Sequence, residues 1–318
     1  MIVSITMNPA IDKSTSIEAL IPEKKLRCNE LFAEPGGGGI NVSKAIRKLG
    51  GESLTIFPAG GFNGRLLEDF LARDKINFRS VPIKGNTRES FTINEHRTQA
   101  QYRFVLPGPE MSKEETDNCM RIIEELDPKP SFIIASGSLP PGVPENFFGQ
   151  LASLSKKLHA KCIIDSSGQS LQHAVEEGVY LLKPNLSELT FLTGKDHLEL
   201  NEVDDAAMEI IRKGKCEVIV VSLGPSGALL VTKNGYEHMP APTVKKQTTV
   251  GAGDSMVAGM VWKLSQGKSL EETVQFGVAC GTAATMNSGT QLFNIEDVNR
   301  LYEWITKHSH KYKLNLDN

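Results

Sequence analysis

Short apolar runs alternate with amphipathic segments along most of this 318-residue chain. Short apolar runs between turn residues are typical of buried strands, whereas apolar residues that recur every three or four positions indicate helices. The alternation predicts an α/β fold, in which a mostly parallel sheet carries helices on both faces. The predicted strands are residues 2–7, 54–58, 132–135, 162–165, 180–183 and 218–222, and the predicted helices are 42–49, 66–72, 114–126, 147–158 and 204–213. Beyond residue 254 the pattern is almost entirely helical.

Two polar stretches with strand character interrupt the alternation, at about residues 13–34 and 86–106. Neither stretch is long or apolar enough to build a core alone. We expect them to pair as a small β-sheet beside the main domain, where such a sheet can cover a cleft or form a dimer surface. The chain is therefore predicted to be a single α/β domain, residues 1–318, with a small β lid.

Composition and charge argue against several classes of partner. At 40% hydrophobic and 23% charged residues, the chain is expected to be globular with a large core. Its net charge of -3 offers no broad basic surface, so neither nucleic acid nor an anionic membrane is expected to bind. No run approaches the roughly 18 apolar residues of a membrane span, and the cysteines are odd in number and widely spaced. We expect a cytoplasmic protein with reduced thiols.

The segment TTVGAGDS, residues 248–255, joins a possible phosphate cradle to a possible catalytic carboxylate. Small and apolar residues follow it, so a helix is expected to begin near Gly251 and Gly253. The first N–H groups of a helix have no partners within it, and together with the helix dipole they bind anions. Asp254, in the first turn, either caps this helix or takes a proton from a nucleophile beside the bound anion.

A second glycine-rich segment, PGGGGINV at residues 35–42, precedes another predicted helix. It lacks both the Gly-Lys-Ser/Thr of a P-loop and the glycine spacing of a dinucleotide-binding turn. The segment is either a flexible turn or a bent backbone that places Asn41 against the hydroxyls of a polyol. Asp12, after the first predicted strand, is likewise either a turn residue or a loop residue that faces a ligand.

Several polar residues also have two interpretations. Four cations in the polar stretches are either solvated surface charges or, if the stretches pair over a cleft, a pocket for a phosphorylated substrate. They are Lys25, Arg27, Arg88 and Arg103. Asn185 and Glu188, in the segment KPNLSE, either form a capping box at a helix start or hold water around Mg²⁺.

These motifs, in this order, resemble those of the ribokinase-like (PfkB-type) sugar kinases over nearly the whole chain. The resemblance rests on TMNPAID at residues 6–12, GGGGINV at 36–42, SGSLP at 136–140 and TVGAGDS at 249–255. It implies a ribokinase-like α/β sandwich, Rossmann-like with helices on both faces of a parallel sheet, and a small β lid that commonly makes the dimer contact. It also implies transfer of the γ-phosphate of ATP to a sugar hydroxyl, with Mg²⁺ and a monovalent cation, K⁺.

The resemblance further implies a role for each matching residue. Asp254 matches the catalytic base, and Gly251, Ala252 and Gly253 match the anion hole. The positions that bind the sugar and its phosphate are matched by Asp12, Lys25, Arg27, Gly37, Gly38, Asn41, Arg88, Arg103 and Ser138. Nucleotide positions are matched by Lys183, Asn185, Glu188, Ser222, Gly224 and Gly227, of which Glu188 would hold Mg²⁺ through water. A monovalent-cation loop is matched by Thr248, Val250, Ala284, Asn287 and Gly289.

Within the family the shared segments are most similar to those of the minor bacterial 6-phosphofructokinases. We therefore expect fructose 6-phosphate to be phosphorylated at its C1 hydroxyl by a homodimer that associates through its lids. Gly38 supports this substrate, because family members that act on fructose 1-phosphate or tagatose 6-phosphate typically carry lysine there. The segment TMNPAID is more similar to those two subfamilies, so both remain alternatives. A nucleotide-binding regulator without activity is a third hypothesis.

Overall fold

The apolar run near the amino terminus forms a central strand of the main sheet. The structure, a computed structural model, describes residues 1–287 and 291–309. Strand β1 (Ile2–Ile5) is buried along its whole length, and parallel strands flank it on both sides. Val3 pairs with Leu54 on one side and with Ile133 on the other. A strand buried between two others is expected to be mostly apolar, and the one polar residue of β1, Ser4, is hydrogen-bonded to Ser43 Oγ at 2.9 Å.

Nine strands of the described chain form the main sheet, in the order β13-β12-β11-β10-β9-β8-β1-β4-β5. All neighbours are parallel except β11 with β12 and β12 with β13. That antiparallel edge was not predicted, nor was β5. The further strands of this sheet are β4 (Leu54–Ala59), β5 (Asn77–Pro82), β8 (Phe132–Ser136), β9 (Lys161–Asp165), β10 (Val179–Leu182), β11 (Cys216–Ser222), β12 (Ala228–Thr232) and β13 (Gly235–Met239).

Helices cover both faces of the main sheet, each face with its own apolar core. One core contains buried residues of α3, α4, α5, α6 and α7, and the other contains those of α1, α8, α9 and α10. Helix α2 packs in a third, smaller cluster beside the second sheet. The helices are α1 (Gly38–Lys48), α2 (Gly61–Arg73), α3 (Lys113–Glu124), α4 (Phe147–Lys157), α5 (Gly168–Glu177), α6 (Leu186–Thr193), α7 (Val203–Arg212), α8 (Ala252–Ser265), α9 (Leu270–Thr285) and α10 (Ile295–Ser309).

The two polar stretches contribute to a separate four-stranded sheet, called the lid below. Its strands are β2 (Ala10–Ile17), β3 (Phe32–Gly36), β6 (Arg88–Glu95) and β7 (Gln101–Val105), in the order β3-β2-β6-β7. The pairing of β2 with β6 is parallel and starts at Ala10 and Arg88. The predicted α/β sandwich with a small additional sheet is thus confirmed. Asp12 was predicted in a loop, and this was wrong, because its segment pairs as strand β2 with both β3 and β6.

Two further features concern the helices and the cysteines. Among the described residues, no helix is both long enough and apolar enough to cross a membrane. All five cysteines are free thiols; four are buried, and Cys28 is exposed on the loop between β2 and β3. Burial raises the pKa of the Cys162 and Cys216 thiols to about 12, so neither is a reactive thiolate near neutral pH.

Candidate active site

Helix α8 begins at Ala252, between the two glycines of the segment TTVGAGDS. Gly251, the residue before the helix, has φ of 71°, a left-handed conformation that a residue with a β-carbon adopts at a cost. Its carbonyl accepts the Ser255 N–H at 2.8 Å, which starts the helical hydrogen bonds. The N–H groups of the first turn precede this bond and have no partners inside the helix. The Ala252 N–H donates to the Thr249 carbonyl outside the helix at 3.4 Å, and the other N–H groups of this turn can bind an anion beside Asp254.

The carboxylate of Asp254 does not cap α8 but reaches across the cleft to two other elements. Its Oδ2 accepts a hydrogen bond from Asn41 Nδ2 in α1 at 3.0 Å. Its Oδ1 accepts one from Ser136 Oγ, at the end of β8, at 2.9 Å. Two neutral donors on different elements therefore fix the position of the carboxylate, and neither neutralises its charge. This arrangement suits a base better than a structural cap.

Burial raises the pKa of Asp254 to about 6, and repulsion by the neighbouring Asp165 carboxylate raises it as well. The hydrogen bonds from Asn41 and Ser136 and the charge of Lys183 act in the opposite direction but more weakly. Lys183 Nζ lies 3.0 Å from Asp165 Oδ1 and is itself buried. Burial alone would lower the pKa of Lys183, but the hydrogen bond and charge of Asp165, together with the charges of Glu188 and Asp254, outweigh burial and hold the net pKa above the ordinary value. Lys183 therefore stays charged.

A cavity of about 290 Å³ opens in front of Asp254, between the lid and the main sheet. A larger cavity, about 720 Å³, is lined by other residues, such as Lys156, Tyr180 and Lys233, and does not include Asp254. Of the predicted residues, the smaller cavity is lined by Asp12, Gly37, Gly38, Asn41, Arg88, Arg103, Ser138, Val250, Gly251 and Asp254. Lys25 and Arg27 were predicted at the same site, but they are exposed on the loop between β2 and β3 and do not line this cavity.

The glycines of GGGGINV are held by close packing, which excludes the flexible turn. Gly37, with φ of 121°, precedes α1, and a β-carbon there would lie 2.5 Å from Thr6 Cγ2. A β-carbon on Gly38 would lie 2.2 Å from Ser136 Oγ, the same hydroxyl that donates to Asp254. Thr6 Oγ1 in turn accepts the Ile40 N–H at 2.9 Å. The glycines therefore allow α1 to approach the strand ends closely enough for Asn41 to reach Asp254.

Two arginines face the cavity from the lid, and they differ in how they are bound. Arg88 is half-buried and donates to protein oxygens, among them the Asn8 carbonyl at 3.0 Å. Arg103 is exposed, and no hydrogen bond or ion pair of its side chain is formed within the described part of the chain. Burial raises the pKa of Asp12, and the charges of Arg88, Lys44 and Arg103 oppose that rise. The cavity thus has a cationic wall in a chain of negative net charge.

The predicted nucleotide residues lie at the carboxyl edge of β10 and β11, beside α8. Asn185 caps α6 by accepting the Glu188 N–H at 2.8 Å, and Glu188 Oε2 accepts the Asn185 N–H at 2.8 Å, which is the capping box. Ser222 forms an isolated parallel β-bridge with Asn185. Burial raises the pKa of Glu188, and Asp165 adds to the rise. Within residues 1–287 and 291–309, no three His, Cys, Asp or Glu side chains form a metal-binding group of their own.

The two nearby glycines differ in their role. Gly227 has φ of 94°, and a β-carbon there would lie 2.0 Å from the Met239 carbonyl, so this glycine is required by the packing of β13. Gly224 has open space around it and so leaves room for a ligand.

The loop that was predicted to hold a monovalent cation packs against the end of α9. The Thr248 N–H donates to the Thr285 carbonyl at 3.3 Å, and Thr248 Oγ1 accepts the Val250 N–H at 3.1 Å. Asn287 follows Ala284 in the final turn, and its N–H donates to the Ala284 carbonyl at 3.4 Å. The structure therefore brings the segments of Thr248, Val250, Ala284 and Asn287 together. Gly289 lies outside the described residues.

Two residues of this site were missed by the sequence analysis, Ser136 and Asp165. Each is the last residue of a parallel strand, and they pair with each other across β8 and β9. In an open parallel sheet, ligands bind at the carboxyl ends of the strands, so a polar residue that ends an apolar run was the available signal. Ser136 positions Asp254, and Asp165 sets the charge around it.

Comparison with known proteins places this chain in a family. Residues 1–297 match the model of the pfkB family of carbohydrate kinases, so the chain belongs to that family. It is 42% identical to the ATP-dependent 6-phosphofructokinase isozyme 2 of Escherichia coli K12 over 307 residues, which cover 96% of this chain and 99% of the relative. A solved structure of E. coli phosphofructokinase-2 in complex with potassium superposes with a TM-score of 0.92 at 42% identity, over 96% of this chain and 99% of that one. A tetrameric inhibited form of the same enzyme superposes with a TM-score of 0.90 at 41% identity, with the same coverage.

The raised pKa of Asp254 predicts the acid side of the pH profile. If Asp254 has to be ionised to accept a proton, turnover should fall as the pH drops through about 6. A sugar phosphate has its own second pKa of about 6, so the wild-type profile alone does not show whether Asp254 or the substrate titrates. Asp165→Asn removes the repelling charge and should therefore shift the acid side of the profile to lower pH, whereas the titration of the substrate is unchanged. An unshifted profile in this variant would contradict the assignment to Asp254.

Proposed function

We propose that this chain transfers the γ-phosphate of ATP to the C1 hydroxyl of fructose 6-phosphate, giving fructose 1,6-bisphosphate and ADP. The observation that carries the proposal is the half-buried Asp254 carboxylate, which Asn41 and Ser136 hold beside the N–H groups that begin α8. A base and an anion site lie side by side there, which is the arrangement that in-line phosphoryl transfer needs.

The reaction proceeds by attack of the sugar oxygen on the γ-phosphorus. Asp254 accepts the proton of the C1 hydroxyl as the new O–P bond forms, and the bond from the γ-phosphorus to its bridging oxygen breaks to release ADP. The N–H groups near Gly251, Ala252 and Gly253 stabilise the charge on the transferred group. In this proposal the nucleotide is held by Lys183, Asn185, Glu188, Ser222, Gly224 and Gly227.

The charges at the nucleotide end fit a magnesium ion that arrives with ATP. Asp165 raises the pKa of both Glu188 and Asp254, so its carboxylate repels the other two beside the cation of Lys183. Carboxylate oxygens, directly or through water, are the ligands that Mg²⁺ prefers, and Glu188 would hold it through water. When bound, Mg²⁺ neutralises charge on the phosphates.

A monovalent cation, K⁺, fits the turn next to the anion site. Thr248 and Ala284 are buried there, and the turn offers backbone carbonyls, which are hard oxygen ligands. The E. coli relative has been solved as a potassium complex. We extend that ligand to Thr248, Val250, Ala284, Asn287 and Gly289 of this chain.

The sugar is proposed to lie in the cavity of about 290 Å³, with its phosphate toward Arg103 and Ser138. Asp12 and Asn41 line the same space and can hydrogen-bond its hydroxyls. Because a side chain on Gly38 would meet Ser136, a lysine at this position would require the end of β8 to move. The geometry of Ser136 and Asp254 is therefore adapted to glycine, which supports fructose 6-phosphate.

The substrate assignment is tested by a panel of three sugar phosphates. Under one set of conditions, kcat/KM for fructose 6-phosphate should exceed that for fructose 1-phosphate and for tagatose 6-phosphate, because discrimination is a ratio of these values. A ratio of about tenfold or more in favour of either competitor, equivalent to ~1.4 kcal/mol, would contradict the assignment. If ATP is bound but no sugar phosphate accelerates ADP release, the chain is a nucleotide-binding regulator.

We also propose that two copies associate through their lids. Both edge strands of the lid expose large apolar side chains: Phe32 on β3 is 56% exposed and Val105 on β7 is 63% exposed. Contact between two lids would cover them. Lys25 and Arg27 do not line the cavity of their own chain, so a role in phosphate binding requires them to reach the cavity of the second copy. The tetrameric form of the E. coli relative shows that larger assemblies occur among related chains. The five free thiols agree with a cytoplasmic location.

A further inference from the structure

The long connection between β2 and β3, residues 18–31, is called the lid loop below. All of its residues from 21 to 28 are exposed except Leu26, which is half-buried, so the loop has no core of its own to order it. An exposed segment of this length keeps a single path only where its ends are held. The hydrogen bonds at its two ends therefore decide how the lid loop is presented to the surroundings.

At its second end the lid loop is tied to β2 through Asn29. The Asn29 N–H donates to the Ser16 carbonyl at 2.9 Å, and Asn29 Nδ2 donates to Ser16 Oγ at 2.8 Å. Thr15 Oγ1 donates to the Asn29 carbonyl at 3.1 Å. Three bonds between neutral groups thus fix the return of the chain toward β3.

At its first end the lid loop is held by a carboxylate. Glu95, the last residue of β6, pairs in register with Ile17, the last residue of β2, and is only 6% exposed. Its Oε1 accepts the Leu20 N–H at 3.0 Å, so a strand distant in sequence bonds directly to the backbone of the loop. Its Oε2 accepts hydrogen bonds from Thr98 Oγ1 at 2.6 Å and from Tyr102 Oη at 3.2 Å.

The same hydrogen bonds keep Glu95 ionised. The bond from Thr98 and the bond from the Leu20 N–H hold the pKa of Glu95 below its ordinary value. A buried carboxylate is costly unless its oxygens are hydrogen-bonded, and here both oxygens are. Hydrogen bonds to a charged acceptor are stronger than those to a neutral one, so the Leu20 N–H is held more firmly than a carbonyl would hold it.

The two held ends of the lid loop carry exposed apolar side chains. Leu20 is 37% exposed, Ile21 43% and Leu31 55%, and Leu31 is followed by the exposed Phe32 of β3. Both ends are fixed beside the end of β2, so these side chains lie at the same end of the lid. Apolar side chains that are exposed together mark an interaction surface. This surface adjoins the edge strand through which two lids are proposed to associate, so it fits a second copy of this chain.

We propose that Glu95 is a positioning residue for this association, because it holds the start of the lid loop in the conformation that a second copy contacts. The inference rests on the proposed contact between lids and deepens it by naming the group that orders the contacting segment. A segment that is ordered before binding loses less conformational entropy on association, so its affinity is higher. Lys25 and Arg27 belong to the same loop, so their placement against the second copy also depends on Glu95.

The first test measures the association of Glu95→Ala, Glu95→Gln and a control, Glu52→Ala, which removes an exposed carboxylate from the connection between α1 and β4. In sedimentation over a dilution series, Glu95→Ala should raise the dimer Kd by about tenfold or more, because the Leu20 N–H loses its acceptor. Glu95→Gln keeps an oxygen for that N–H and should raise the Kd less. Glu52→Ala should match the wild type. An unchanged Kd in Glu95→Ala would overturn the proposal.

Amide hydrogen exchange tests the loop itself, at a concentration that keeps each protein dimeric. Glu95→Ala should accelerate exchange in peptides covering residues 18–22, and exchange in β11 should stay the same, which shows that the variant is folded. Exchange around Asn29 should change less, because its bonds to β2 remain. Unchanged exchange at residues 18–22 would overturn the proposal, as would faster exchange there with an unchanged Kd, which would make Glu95 a structural residue only.

The same experiments separate this inference from the rest of the proposed function. A wild-type chain that sediments as a monomer would overturn both the association of lids and the role of Glu95. Phosphoryl transfer enters neither measurement, so its failure would be seen only in the panel of sugar phosphates.

Discussion

Asp254→Asn should lower kcat by about 10²–10⁴-fold, the usual contribution of a general base. The amide has nearly the shape of the carboxylate and can still accept a hydrogen bond from Asn41 or Ser136, but it cannot take the proton of the attacking hydroxyl. Steady-state kinetics with fructose 6-phosphate and ATP measures the loss. The KM for the sugar should change little, because Asp254 acts on the proton in transfer and contributes little to holding the ring.

A matched control is Asp205→Asn, which removes an exposed carboxylate from the first turn of another helix, α7. It should leave kcat unchanged. Near-normal turnover in Asp254→Asn would reject the assignment of the base and leave this carboxylate with a role only in packing.

The same variant should be more stable than the wild type above pH 6. The pKa of Asp254 is raised in the folded protein, from 3.8 to about 6, so its charge opposes folding above that pH. As the pH falls toward 4 the group is protonated in the folded state and this cost disappears. Thermal unfolding should therefore show a gain for Asp254→Asn at pH 8, on the order of 1–3 kcal/mol, and little gain at pH 4. Loss of turnover together with a gain in stability would separate a catalytic role from a structural one.

Arg103→Ala should lower kcat/KM for fructose 6-phosphate by about 10- to 150-fold, mostly through KM. The exposed guanidinium has donors free for a phosphate, and a charge-assisted hydrogen bond contributes roughly 1.5–3 kcal/mol. The KM for ATP should stay nearly constant, because Arg103 is not among the residues proposed to hold the nucleotide. Titration of each substrate at saturating concentration of the other measures both constants.

Arg97→Ala is the matched control for this prediction. Arg97 is an exposed arginine in the turn between β6 and β7, and it does not line the cavity. Its removal should change neither KM. Equal losses for both substrates in Arg103→Ala would contradict a phosphate contact and point to a general displacement of the lid.

The sequence was sufficient for the layered fold because each apolar run is short, continuous and followed by a helical pattern. Strand β1 and strand β8 are examples, since both are buried along their whole length and are mostly apolar. The antiparallel strands β12 and β13 were missed, although the two-residue turn at Lys233 and Asn234 connects them as a tight hairpin. The pattern of β13, Gly-Tyr-Glu-His-Met, is too polar to be recognised as a strand without its partner.

The site was predictable where one short segment carries several functions, as in TTVGAGDS. Asp254 could be found because glycine, helix start and carboxylate are adjacent in sequence. Ser136 and Asp165 could not be found in the same way, because their role comes from strands that are neighbours only in the folded sheet. Arg88 and Arg103 looked equivalent in the sequence, and only the carbonyls around Arg88 distinguish them.

The lid sheet is completed late during synthesis, because Ala10 pairs in parallel with Arg88, which is made much later. The lid sheet is complete only when β7 has emerged. Until then β2 and β3, which carries Phe32, lack the other two strands of the sheet. The residues proposed to contact the sugar, from Asp12 to Ser138, are made well before the helix that carries Asp254. The growing protein gains the capacity to consume ATP only when the sheet that receives the acceptor is already built.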